Sequence, residues 1–264
     1  MIKIMNNNIT KIISIIAVSF ICFASTAATF TAIKIKQKIE IDGIVDSQWQ
    51  QAPWYNIDKL VLGVQPSPQD FSGKFKVMWD QDTLYLMAEI TDDVLYDGHA
   101  DPLESYWDDD CLEIFLDENH SGGDHQFNFN AFAYHVALDN QVVDIAGKKQ
   151  DGAPLFQLFN NHLTSRWRRD AAAPHKIIWE MAIKIYKDNY KVSPKGLIGK
   201  ENFTDRSKLF AGKILGFMVA YCDNDGSKQR ESFIGSTVVP AINGDSNRGY
   251  KDASVFDSLV LKDK

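Results

Sequence analysis

Cysteine and proline are both scarce in this chain, with three cysteines and eight prolines in 264 residues. No Pro-rich linker, low-complexity tract or internal repeat divides it, which argues for one domain. Long apolar runs are also few. The one present, residues 12–23, follows Lys3 and Lys11 and precedes Ser25-Thr26-Ala27. A positive start, an apolar stretch and a small-x-small site form a cleavable secretory signal. The run falls short of the roughly 20 residues a spanning helix needs. Ile21 precedes Cys22, where a lipoprotein signal needs a small residue. Residues 1–27 are therefore read as a signal peptide and 28–264 as the mature domain, secreted or periplasmic and free of the membrane.

Positive charge is in deficit. Without Lys3 and Lys11 the chain carries 26 basic residues against 35 acidic ones, a net −9. That balance argues against nucleic acid and anionic membrane surfaces as partners. Carboxylates outside the cell also leave room for a structural calcium ion. Only Cys111 and Cys222 survive signal removal. One disulfide and two buried free thiols both remain open.

Catalytic signatures are missing too. There is no Gly-rich phosphate loop, dinucleotide fingerprint, H-E-x-x-H or G-x-S-x-G. His120 and His125 flank the turn Ser121-Gly122-Gly123-Asp124 at a spacing that fits no common zinc pattern, and are read as solvated loop residues. Asp108, Asp109, Asp110 and Glu113 crowd one loop and strand end, but nothing marks an acid and a nucleophile among them. A solvated or calcium-bound acidic loop is the better reading.

What is present is a series of short alternating segments. Phe75-Lys76-Val77-Met78-Trp79, a turn, and Leu84-Tyr85-Leu86-Met87-Ala88-Glu89-Ile90 predict a hairpin. Residues 33–36, 39–41, 127–132, 177–183, 214–221 and 254–261 predict further strands. Residues 46–51 predict one capped helical turn. Residues 187–212 show little pattern and read as a long surface loop. Many short strands and almost no helical periodicity predict an all-β, antiparallel, jelly-roll-like β-sandwich in a single domain.

Within this frame Trp107 stands out. It precedes an acidic loop and a strand on which Leu112, Ile114 and Leu116 face one way and Cys111, Glu113 and Phe115 the other. A flat aromatic beside a fixed carboxylate suits a sugar, the ring packing on C–H groups and the carboxylate accepting from hydroxyls.

Several ordered motifs then resemble the family 9 carbohydrate-binding modules, related to DOMON-like sugar-binding domains. They are Ile41-Asp42-Gly43-Ile44-Val45-Asp46-Ser47-Gln48-Trp49, the Val77–Leu86 hairpin, residues 107–119, residues 217–230 ending in Gln-Arg, and Tyr250-Lys251-Asp252-Ala253-Ser254-Val255-Phe256. The resemblance covers about 39–261, apart from an extra-long middle at about 142–213. It implies a β-sandwich that holds the end of a glycan chain between two aromatic rings, with structural calcium. By position it implies Trp107 and Tyr250 as the rings, Glu113 and Asn247 as hydroxyl partners, and Arg230 nearby. It also places Asn128 in the site, where members carry Arg, and Ala220 where they carry Gln, which would thin the polar half of the site.

The reading is a non-catalytic, monomeric, exported carbohydrate-binding protein supporting polysaccharide catabolism. Two alternatives stand beside it. One is an accessory part of a xylanase-type O-glycosyl hydrolase system that has hydrolase activity. The other is a haem-binding, DOMON-like electron-transfer domain, for which Met78, Met87, Met181 and Met218 are candidate ligands.

Overall fold

The computed structural model describes residues 28–192 and 205–264. The segment read as an export signal, and residues 193–204 of the predicted loop, lie outside the described residues. Fourteen strands lie among the described residues: β1 (Thr29–Lys34), β2 (Tyr55–Ile57), β3 (Lys59–Gly63), β4 (Phe71–Trp79), β5 (Leu84–Asp92), β6 (Cys111–Asp117), β7 (Phe132–Ala137), β8 (Val142–Lys148), β9 (Pro154–Leu158), β10 (Leu163–Arg169), β11 (Lys176–Ile183), β12 (Ile214–Asp223), β13 (Ser232–Gly235) and β14 (Asp257–Lys262).

They form one curled sheet in the order β10-β11-β5-β4-β1-β14-β12-β6-β7-β8-β9, with β2 on β4, β13 on β12 and β3 on β13. The sheet folds over as a β-sandwich. One layer centres on β11-β5-β4, the other on β12-β6-β7, and β1 joins them. The antiparallel expectation needs one correction: β1 runs parallel to both β14 and β4, so the sheet is mixed. A joining strand enters both layers from the same end, and alternation along a strand carries no information about its neighbour's direction.

The apolar alternation explains the packing. Leu112, Ile114 and Leu116 join Phe75, Leu86, Trp179 and Phe217 in the main core. The opposite face of β6 is buried as well, with Cys111 and Phe115 joining Met218, Ala220, Cys222 and Phe256 in a second cluster. Met78 and Met87 lie in a third cluster, Met181 in the first and Met218 in the second. All four are buried among apolar neighbours, the packing role methionine commonly fills in a core.

The Ile41–Trp49 motif is a structural anchor. Its turn, Ser47–Gln51, is a 3₁₀ helix, and Asp46 makes no side-chain cap to it. Glu180 on β11 is fully buried and accepts from Trp49 Nε1 at 2.9 Å, Gly43 N at 3.1 Å and Asp42 N at 3.4 Å. Gly43 has φ +76, and a Cβ there would lie 2.8 Å from the Arg168 side chain. Glu180→Ala is expected to destabilise by on the order of 3 kcal/mol, because it strands buried N–H donors. Urea denaturation measures this, and a loss within about 0.5 kcal/mol, typical of neutral surface changes, would refute the anchor role.

Candidate carbohydrate site

Trp107 sits on a 3₁₀ turn, Tyr106–Asp108, at the entrance to β6. The acidic loop beneath it is buried, which corrects the solvated reading. Asp108 accepts from Arg230 N at 3.2 Å, and its carbonyl takes Asn224 Nδ2 at 2.6 Å. Asp109 accepts from Gly98 N and His99 N, and Asp110 from Tyr96 N and Asn224 N. Backbone amides thus occupy these carboxylates, which pin the loop that carries Trp107.

A cavity of about 300 Å³ opens beside Trp107. Trp107, Tyr106 and Phe156 make its aromatic side; the Trp107 and Phe156 rings lie 5.7 Å apart, and those of Tyr106 and Phe156 5.2 Å apart. Asn247 and Tyr250 line it from the loop before β14. Gln126, Ile145 and Pro154 complete the wall.

Glu113 lines the cavity at only 2% exposure and is the centre of its polar side. His135 Nε2 lies 2.8 Å from Glu113 Oε1, and Arg230 Nη1 lies 3.5 Å from the same oxygen. Burial acts to raise the Glu113 pKa. The charge and hydrogen bond of His135, with Arg230, outweigh it and hold the carboxyl below its ordinary value. A carboxylate fixed in this way can accept from a sugar hydroxyl. The Arg230 guanidinium is itself held, 4.4 Å over the Phe233 ring.

Trp107, Glu113, Arg230, Asn247 and Tyr250 therefore meet at one cavity, as the sequence reading expects. Asn128 does not. Residues 127–131 are turn and bend, not strand, and Asn128 is exposed, with its amide on the Asp124 carbonyl. The strand begins later, at Phe132, and register places His135 opposite Glu113. Phe127 and Phe129 alternate for other reasons: Phe129 packs on Phe132 and Tyr190, and Lys148 sits over Phe127. Ala220 also pairs with Glu113, across β12, but is fully buried in the second apolar cluster. The polar half is accordingly not thin, since His135 and Arg230 supply donors.

Sequence reasoning missed Tyr106, Gln126, His135 and Phe156. His135 carried a signal in the alternation of Phe132, Tyr134 and Val136 against Ala133 and His135. Phe156 lies in the extra-long middle and carried none. His125 was misread: it is buried, its Nε2–H donates to the Gly249 carbonyl at 2.8 Å, and its backbone N–H donates to the Lys251 carbonyl at 3.0 Å. It therefore fixes the Tyr250 loop. Gly249 touches the core so closely that an added Cβ would lie 2.8 Å from Met218. Cys111 and Cys222, left open between disulfide and free thiols, are free and stand opposite one another across β6 and β12.

Comparison with known proteins adds to this geometry. The model of the carbohydrate family 9 binding domain-like family matches residues 41–264. Endo-1,4-beta-xylanase C of Paenibacillus barcinonensis is 24% identical over 224 residues, 85% of this chain and 16% of that protein. Endo-1,4-beta-xylanase A of Thermotoga neapolitana is 32% identical over 96 residues, 34% of this chain and 8% of that protein. The chain thus spans a small part of the xylanases it matches. A family 9 module from Caldicellulosiruptor kristjanssonii solved with glucose superposes with a TM-score of 0.61 at 21% identity, covering 90% of this chain and 97% of that one. The structure solved with cellotriose gives 0.60 at 21%, covering 90% and 95%. These two likenesses bear on the fold.

Proposed function

The chain belongs to the carbohydrate family 9 binding domain-like family, and from that premise we propose that it is an exported, non-catalytic glycan-binding protein that takes the end of a sugar chain. The observation that carries this is the joining of an aromatic wall, Trp107 with Tyr106 and Phe156, to a buried carboxylate braced by His135 and Arg230 in one cavity. At about 300 Å³ the cavity lies at the small end of ligand clefts, which suits a terminal sugar and not a long stretch of polymer. Stacking on Trp107 supplies affinity, while Glu113, Arg230 and Asn247 read hydroxyl positions. Relatives that are xylanases, and neighbours solved with glucose and cellotriose, favour β-linked plant glycans as the ligand class. Calorimetric titration with cello- and xylo-oligosaccharides tests the reading. Saturable one-site binding by a short oligosaccharide is expected, and heat of dilution alone across both series would reject it.

The same reading includes a structural calcium ion. Asp70, Asp93 and Asp225 bring carboxylate oxygens within 4.8 Å of one another. Behind them, fully buried Asp92 leaves Oδ1 without a partner among the described residues. Burial and neighbouring carboxylates push Asp92 up to about 7 and Asp223 up to about 8. A hard dication fits such an oxygen-rich cluster, whose negative charge Arg169 only partly offsets. Calcium at about 100 times its Kd adds roughly 2.7 kcal/mol to stability, so melting should rise by several degrees after chelation and re-addition. Asp225→Asn should remove most of that increment. Identical melting curves in chelator and in calcium would count against the site.

A further inference from the structure

Below the cavity, three neighbouring strands turn four metal-ligating side chains toward one point. Cys111 on β6 stands opposite Cys222 on β12. Glu113, on the same face of β6, stands opposite His135 on β7. One ligand atom from each of the four lies within 4.8 Å of the other three, and all four residues are buried. We propose that Cys111, Cys222, His135 and Glu113 form a four-coordinate site for a thiophilic divalent cation of the zinc type.

Two sulfurs, one imidazole nitrogen and one carboxylate oxygen are the donors that tetrahedral zinc takes. Bonds of about 2.3 Å to sulfur and about 2.0 Å to nitrogen and oxygen place the donors of a tetrahedron roughly 3.3–3.8 Å apart. Glu113 Oε1 already lies 2.8 Å from His135 Nε2 and 3.0 Å from Cys222 Sγ. Small side-chain shifts on rigid strands therefore complete the geometry. His135 Nδ1 faces the Ala133 carbonyl at 3.4 Å, which orients the ring with Nε2 toward the cluster. Ala220, paired with Glu113 across β12, adds no bulk there.

Charge also balances. Two thiolates and one carboxylate carry −3, while the dication and Arg230, whose Nη1 is 3.0 Å from Cys222 Sγ, bring +3. Loading displaces the proton of each thiol to solvent. Glu113 and His135 also line the cavity, so the metal site shares its polar floor with the glycan reading, while Cys111 and Cys222 lie beneath the lining.

Cobalt(II) tests the proposal, because tetrahedral thiolate ligation gives it sulfur-to-metal charge-transfer and strong visible bands. The full exported chain is reduced, its two thiols are counted by alkylation, and Co²⁺ is titrated under inert gas without sugar. One equivalent should develop both features, and Zn²⁺ should bleach them. Cys111→Ser and Cys222→Ser should each lower the charge-transfer band at least about twofold, one of two sulfur donors being lost, the double variant should abolish it, and Asp225→Asn in the acidic cluster should leave it intact. His135→Gln keeps both sulfurs and should weaken Co²⁺ binding at least about tenfold, as loss of a ligand does. It decides the matter should a serine variant fail to fold. No charge-transfer band in protein with two countable thiols, or a band undiminished in Cys111→Ser, overturns the site. No glycan enters the readout, so a failed sugar titration is a separate result.

Discussion

Trp107→Ala is expected to weaken binding of cello- or xylo-oligosaccharides by about 30-fold or more, with little change in melting temperature. A ring central to a small binding cavity is the kind of residue whose truncation costs roughly 2 kcal/mol or more. The indole is half-buried, and its ring contacts are Tyr106 and Phe156. The turn beneath it is held by the backbone contacts of Asp108 and Asp109, which the substitution leaves in place. Tyr250→Ala should weaken binding less, and Tyr250→Trp should hold or strengthen it. Calorimetry with one oligosaccharide across the three variants checks this. Unchanged affinity in Trp107→Ala would remove the residue from the site and shift attention to Phe156.

The second large effect concerns acid. His162 is fully buried, stacked on Tyr186 at a ring separation of 4.0 Å. Its Nδ1 lies 2.7 Å from the Tyr134 hydroxyl and its Nε2 lies 3.0 Å from the Tyr190 hydroxyl. Burial, helped by the Lys184 charge, lowers its pKa from 6.5 to about 3. The folded protein thus keeps a neutral ring where the unfolded chain takes up a proton. The contribution is full above pH 6.5 and is lost as the pH falls toward 3. Between pH 7 and pH 4 it amounts to about 3 kcal/mol. Raised carboxylates such as Asp110, pushed up to about 9 by burial and by Asp92, act in the opposite sense. The difference between the parent and His162→Gln isolates the histidine. Urea midpoints at pH 7, 5 and 4 should converge as the pH falls, and parallel midpoints would refute the assignment.

Several parts of the molecule were legible in residue order. The β4–β5 hairpin, the two faces of β6, and the grouping of Trp107 with Glu113 all follow from alternation and turn chemistry, which are local. The ordered motifs at 41–49, 107–119 and 250–256 carried the family. Other readings failed where the deciding partner lies far away in sequence. Alternation at 127–132 was real, but it serves packing against Phe132, Tyr190 and Lys148, so Asn128 was placed in the site in error. Phe156 had no local signal because a single ring on a short strand gains meaning only from what it faces. His125 looked solvated because its partners, Gly249 and Lys251, lie on a distant loop.

By itself, then, the sequence determined an all-β chain with one aromatic and one carboxylate at a strand entrance. Side-chain alternation with period two and turn preferences are properties of a few consecutive residues. Tertiary structure decided which strands pair and in what register. Only pairing sets His135 beside Glu113, brings Cys222 opposite Cys111, and closes the cavity with Arg230 and Phe156. A register shift of one residue would turn every one of these side chains to the other face, and burial on both sides of β6 excludes that shift.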